Sequence, residues 1–181
     1  MKTTAALIAC LALALPVAAR TADDIASVTR QAQILEQVTE SGDIGASLKL
    51  LPPTLLDRNA EAQGMSRAEF DAMMTESMAQ LAGISKVRDS SIATPDMVWH
   101  SLPDGTLFAT IPTRNIVEVT LEPGKAPMLI EETSATLALK DQGEWRVVRA
   151  GSNTQQETLR RAFPWLEGVD LPEAKTEVLD Q

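Results

Sequence analysis

The chain has 181 residues, with 25 acidic side chains against 16 basic ones and a formal net charge of −9 at pH 7. This length suits one ordinary domain that can bury its own hydrophobic core. A strongly acidic chain is repelled by nucleic acid and by anionic lipid surfaces, so nucleic acid is excluded from the expected partners.

Residues 1–19 have the pattern of a secretory signal peptide. Lys2 supplies a positive start, an apolar run extends from Ala5 to Leu15, and small residues up to Ala19 form a cleavage site. We therefore expect cleavage after Ala19 and a periplasmic or secreted mature chain. Beyond this segment, no apolar stretch approaches the roughly 20 residues that a membrane span requires.

Cys10 is the only cysteine, and it lies within this segment. Residues 7–10, LIAC, match a lipoprotein cleavage box, which would leave Cys10 lipidated. The apolar run continues past Cys10 and the segment before it is short, so we favour cleavage after Ala19 without a lipid anchor. The mature chain then has no cysteine, and neither a disulfide nor thiolate chemistry is expected.

Four helices are predicted in the first half of the mature chain. The first begins after Thr21 and ends at Gly42, because apolar residues recur at helical spacing between a capping threonine and a glycine. Two shorter helices flank Pro52-Pro53, which interrupts helical hydrogen bonding. The fourth begins with the capping box Ser66-Arg67-Ala68-Glu69 and ends at Gly83.

After Gly83 the pattern changes to extended runs separated by turn sequences. The runs cover about residues 84–101, 106–121, 128–140 and 144–150, and the turns lie at 102–105, 122–125 and 141–143. Such short links join antiparallel neighbours, so a four-stranded meander is predicted. A final helix is expected from about Thr154 to Pro164.

The predicted fold class is therefore α+β. N-terminal helices pack in the concave face of a curved, mostly antiparallel four-stranded meander, and a short C-terminal helix follows. The expected organisation is a signal peptide at 1–19, one domain at 20–172, and a polar tail at 173–181 whose composition is compatible with disorder.

Three features resemble the ketosteroid-isomerase-like superfamily, the cystatin-like α+β cone also called the nuclear transport factor two fold. They are the link at residues 40–43, the helix before Gly83, and residues 141–148, which resemble the closing hairpin where a tryptophan begins the final core strand. The resemblance covers roughly residues 22–151 and implies a cone-like cavity. Members include isomerases, dehydratases, transport factors and proteins without chemistry, so the fold does not give the function.

Catalytic residues are few. The best-known isomerases of the superfamily use an aspartate and a tyrosine, and this chain has no tyrosine. His100, the only histidine, could act as a base oriented by Asp96 or Asp104, but its place beside a turn favours a structural role. Glu131 and Glu132 point to opposite strand faces, which makes Glu132 a weak candidate for an acid in the cavity.

Metals and cofactors are not expected. One histidine and no mature cysteine cannot supply the ligands of a zinc site. Met74 and Met78 share a helical stripe with apolar residues, which favours core packing over Cu(I) binding. Trp99, Phe108 and Met78 are the candidates for lining a ligand cavity.

We expect an exported, non-catalytic protein that binds a small apolar ligand or a partner protein of the cell envelope. Two alternatives stay open. One is a small lyase or isomerase that uses a carboxylate, Asp96 or Glu132, together with His100. The other is an envelope assembly factor that acts as a homodimer through the convex face of the sheet. An enclosed apolar volume of at least about 300 Å³ would favour ligand binding.

Overall fold

The computed structural model describes residues 20–121 and 124–179, which contain five α-helices and six β-strands. The helices are α1 (Ala22–Ser41), α2 (Ile44–Leu50), α3 (Pro53–Ala62), α4 (Arg67–Ala82) and α5 (Asn153–Ala162). The strands are β1 (Ser85–Ile92), β2 (Val98–Ser101), β3 (Leu107–Val119), β4 (Met128–Asp141), β5 (Glu144–Arg149) and β6 (Lys175–Leu179). The predicted signal peptide, the alternative at Cys10 and part of the 122–125 turn lie outside the described residues.

The strands form one curled sheet in which every described pairing is antiparallel. Strands β3 and β4 are central. Strands β1 and β2 pair successive parts of β3, while β5 and β6 pair successive parts of β4. The α+β class and the antiparallel order are confirmed. The first extended run divides into β1 and β2 because Thr94–Asp96, with Pro95 at its centre, form a 3₁₀ turn.

The register of β3 on β4 decides which residues share a face of the sheet. It runs from Phe108 opposite Leu139 to Val119 opposite Met128. Directly opposed residues lie on one face, and successive residues alternate between faces. One face, the α1 face, buries apolar residues of α1 against those of the strands: Val28, Ala32, Ala109, Ile111, Ala138, Trp145 and Val147.

The opposite face, the α5 face, is covered by α3, α5 and the segment after α5. Its buried residues are Leu55, Phe108, Leu137, Leu139, Val148, Leu159, Phe163 and Leu166. Helices therefore cover both faces of the part of the sheet that contains Phe108, Ala109 and Ile111. Helix α4 packs through Phe70 onto Leu56 and Ala60 of α3.

A carboxylate joins the beginning of α1 to the sheet. Asp24 Oδ1 accepts a hydrogen bond from Trp145 Nε1 at 2.7 Å and lies 3.0 Å from Lys140 Nζ. Asp24 Oδ2 accepts from the backbone and side chain of Thr21 in a capping box. The Trp145 hydrogen bond, with those from Thr21 and Lys140, holds the pKa of Asp24 well below its usual range.

A buried carboxylate, that of Asp141, fixes α3. Asp141, the last residue of β4, accepts from the Thr54 backbone N–H at 2.9 Å and from the Thr54 hydroxyl at 2.5 Å. These bonds satisfy donors in the first turn of α3, where a negative charge is also favoured by the helix dipole. Asp141 therefore places α3 against the end of the β4–β5 hairpin.

The chain after α5 returns to the sheet. The backbone N–H of Ala174 donates to the carbonyl of Gly151 at 2.7 Å, and β6 then pairs with residues 129–133 of β4. The segment that the sequence presents as a polar tail thus contains a short edge strand. The approach is close, because a Cβ on Gly151 would lie 2.8 Å from Ser134 Cβ and 3.1 Å from Ala174 Cβ.

The Asp24 carboxylate predicts a pH-dependent contribution to stability. Asp24→Asn should lower the free energy of unfolding at pH 7 by about 1–3 kcal/mol, because it removes charge-assisted hydrogen bonds. The folded-state pKa lies below the ordinary 3.8. The stabilisation by the ionised Asp24 carboxylate is therefore fully present above about pH 3.8, and it is lost as the pH falls from there through the lower folded-state pKa. Urea titrations should show wild type and variant converging below about pH 4. The exposed Asp23, replaced by Asn, is the control, and an equal effect from both variants would contradict the assignment.

Gly151→Ala should destabilise the chain by about 1–3 kcal/mol, because the new methyl group overlaps carbon atoms held on two backbones. Gly45→Ala is the matched control. It lies in α2, where a Cβ meets only Asp43 Oδ1 at 3.6 Å, and it should be neutral or stabilising by up to about 1 kcal/mol. Thermal unfolding of both variants measures these effects. An unchanged stability of Gly151→Ala would show that Gly151 lies farther from Ser134 and Ala174 than these distances state.

Candidate ligand site

A row of polar side chains crosses the α1 face. Ser90 of β1 lies opposite Asn115 of β3, Asn115 lies opposite Glu132 of β4, and Glu132 lies opposite Thr176 of β6. These four residues are called the polar row. Because opposed residues of antiparallel strands share a face, all four side chains project toward the side that α1 occupies. The row marks the point where the apolar packing under α1 ends.

Asn115 is fully buried, and of its two side-chain polar atoms only the oxygen has hydrogen-bond partners among the described residues. Its Oδ1 accepts hydrogen bonds from Ser90 Oγ at 2.8 Å and from Arg149 Nη2 at 3.2 Å. Its Nδ2 has no partner among the described residues. The orientation of the amide follows from chemistry, since a guanidinium only donates and must face the oxygen. A buried donor without a partner costs about 1–3 kcal/mol, so this amide marks a candidate position for a group from outside the described residues.

Arg149 extends over the sheet from β5 toward the polar row. Its Nη2 reaches Asn115, and it contacts the Thr39 hydroxyl near the end of α1 at 3.4 Å. It forms no ion pair within residues 20–121 and 124–179, and only Nη2 is hydrogen-bonded there. Burial lowers the pKa of the Arg149 guanidinium, and the charge of Glu132 opposes this shift. A desolvated cation with unused donors is suited to binding an acceptor oxygen.

Apolar residues continue the α1 face beyond the polar row. The next row contains Val87, Val117, Ile130 and Val178, and the one after it contains Val119 and Met128. Together these six residues are called the apolar rows. Val178 is 62% exposed and Met128 is 37% exposed, whereas the apolar residues under α1 are buried. The polar row therefore separates a packed interior from an accessible apolar surface.

The structure does not bring the predicted catalytic residues together. His100 lies on the α5 face, where its Nε2 is 3.0 Å from the Thr110 hydroxyl and its ring stacks on Phe108. Glu132 lies on the α1 face, and Asp96 is exposed in the turn before β2. Burial lowers the pKa of His100, and no carboxylate hydrogen-bonds its ring within the described residues.

The three predicted cavity residues also lie on separate surfaces. Trp99 is half-buried on the α1 face and packs edge-on against Trp145, with ring centroids 5.2 Å apart. Phe108 is buried in the core of the α5 face, and Met78 is half-buried on α4. A cleft of about 370 Å³ lies between α3 and α5, but it is open to solvent and includes Arg58, Glu61 and Arg161 in its lining.

Sequence reasoning missed Asn115 and Arg149. Each occupies a position that alternation assigns to the core: Asn115 follows Ile111 and Thr113 at every second residue, and Arg149 follows Trp145 and Val147. A polar residue at a core position of a strand is the available signal. It gains meaning only when the strand register places the two side chains side by side.

Other site types find no support in the part of the chain that the structure describes. No three histidine, cysteine, aspartate or glutamate side chains within it converge as a metal site would require. None of its helices combines the length and apolar character needed to cross a membrane.

Comparison of the chain with protein-family models, with curated proteins and with solved structures gave no match. The layout itself, helices with a curled antiparallel sheet, is compatible with the cone fold that the sequence resembles.

His100 should titrate as a half-buried imidazole that is hydrogen-bonded to a hydroxyl and not to a carboxylate. We expect its NMR titration midpoint below the ordinary 6.5, because burial disfavours the charged ring and no carboxylate in the described part of the chain offsets this effect. Because His100 is the only histidine, the imidazole ring signals in the spectra belong to it and need no separate assignment. A midpoint at or above 6.5 would show that an acidic group approaches the ring and would reopen a catalytic role.

Proposed function

We propose that this chain is an exported, non-catalytic binding protein that receives a small molecule on the α1 face, at the polar row. The proposal rests on one observation, the buried Asn115 Nδ2 without a partner beside the desolvated guanidinium of Arg149. Both groups donate, so the molecule presents an acceptor oxygen. The signal-peptide pattern of residues 1–19 supports export, and the cone superfamily is the proposed family.

Stability alone gives no reason for this arrangement. A polar network in a protein interior strengthens a fold only when each member is satisfied, and a half-satisfied network is worse than an apolar one. The neighbouring polar pair on the same face, Thr113 and Thr136, is satisfied by a mutual hydrogen bond of 2.8 Å. Asn115 and Arg149 differ from that pair in having donors without a partner among the described residues, and a bound ligand would satisfy these donors.

The alternatives gain no support from the geometry. An enzyme that combines His100 with Glu132 would need both groups on one side of the sheet, and they lie on opposite sides. The part of the α5 face that the helices leave uncovered carries ion pairs, which a dimer through it would bury. Arg88 pairs with Glu118 there, and Arg114 pairs with Asp89 and Glu131. Burying such pairs carries a desolvation penalty.

The test is to identify any small molecule that stays bound to the protein through purification. The full chain is expressed with its N-terminal segment in an exporting host, purified without detergent, denatured, and its small molecules are measured by mass spectrometry. We expect a compound in near-stoichiometric amount with wild type and its loss from Arg149→Gln. Arg114→Gln is the matched control, because Arg114 precedes Asn115 in the chain but projects to the other face.

Circular dichroism confirms that each variant is folded before its content is compared. A compound that wild type and both arginine variants retain equally would place binding elsewhere on the molecule. The absence of any retained compound, together with no thermal stabilisation by carboxylates, amides or alcohols, would refute ligand binding at the polar row.

A further inference from the structure

We propose that the ligand is an amphipathic monocarboxylate, with its carboxylate at Arg149 and Asn115 and its hydrocarbon chain along the apolar rows. This inference rests on the proposed function and adds the chemical class of the ligand. It follows from three features that meet on the α1 face: unused donors, an adjoining accessible apolar surface, and the acidic side chain of Glu132 beside them.

The donors fit a carboxylate. A guanidinium binds a carboxylate through two parallel N–H···O bonds. After its contacts with Asn115 and Thr39, Arg149 has nitrogens that bond no other described residue. Asn115 Nδ2 adds a neutral donor from the neighbouring strand. A neutral hydroxyl would accept fewer of these hydrogen bonds and would leave the half-buried cation without an ion-pair partner.

The apolar rows suit a linear chain. Along β3, the distance from Asn115 to Val119 is roughly 14 Å, from the rise of a β-strand. Over that distance the α1-face side chains are Val117 and Val119 on β3, with Ile130 and Met128 opposite them on β4. Each methylene fully removed from water contributes about fourfold in affinity, so chain length should strongly affect binding.

Glu132 makes the proposal sharply testable. It lies directly opposite Asn115 and forms no ion pair with Arg149 in the described part of the chain. A carboxylate bound at Arg149 and Asn115 would therefore have the like charge of Glu132 nearby. Removing the Glu132 charge should tighten carboxylate binding and leave a neutral analogue unaffected. Unfolding cannot produce such a gain.

Isothermal titration calorimetry on the full mature chain compares decanoate, decanol and butyrate. We expect decanoate to bind at least tenfold more tightly than decanol and butyrate. Arg149→Gln should weaken decanoate at least tenfold and change decanol by less than about twofold. Glu132→Gln should tighten decanoate by about three- to tenfold. Glu131→Gln is the matched control, because the adjacent Glu131 projects to the α5 face and pairs with Arg114.

Each outcome decides between the two proposals. Equal affinity for decanoate and decanol, or no gain from Glu132→Gln, overturns the carboxylate assignment. If decanoate fails to bind while another compound is retained only with Arg149 intact, the ligand class is wrong and the binding function stands. If Arg149→Gln does not fold, the comparison of Glu132→Gln with Glu131→Gln carries the test on its own.

Discussion

The pairing register of β3 on β4 is the constraint on which the rest of the molecule depends. The register extends from Phe108 opposite Leu139 to Val119 opposite Met128. A slip of one residue would exchange the two faces. Asn115 would then leave the interior and Arg114 would enter it. The observed register places the Arg114–Glu131 ion pair at the surface and the Asn115 amide in the interior. A buried polar site on one face and a charged surface on the other therefore have one cause.

Helix α1 defines how far the apolar interior extends. In its first turn, the Asp24 carboxylate accepts a hydrogen bond from Trp145. Near its other end, the Thr39 hydroxyl contacts Arg149. The helix is 20 residues long and thus spans about 30 Å. Apolar strand residues between these two contacts are buried, whereas those past the polar row remain accessible. The same helix that completes the core thus leaves the proposed ligand surface uncovered.

Much of the fold follows from local signals. Gly42 and the box from Ser66 to Glu69 mark helix ends through caps that depend on neighbouring residues alone, and the structure forms both. The candidate site depends on pairing between distant strands, which periodicity does not specify. Alternation separates Glu131 from Glu132, but only register shows that Glu132 opposes Asn115 and that His100 lies on the other face. The same holds for β6, whose exposed residues become a strand by pairing with β4.

A crystal structure of the full chain purified from its natural source would show directly whether a ligand occupies the polar row at Asn115 and Arg149. We expect density for a non-protein molecule with an oxygen within about 3.2 Å of Asn115 Nδ2 and hydrogen-bonded to the Arg149 guanidinium. The contrary result is a side chain of the protein, such as the Glu132 carboxylate, bonded to both groups. The network would then be complete without a ligand, and the α1 face would be only a core.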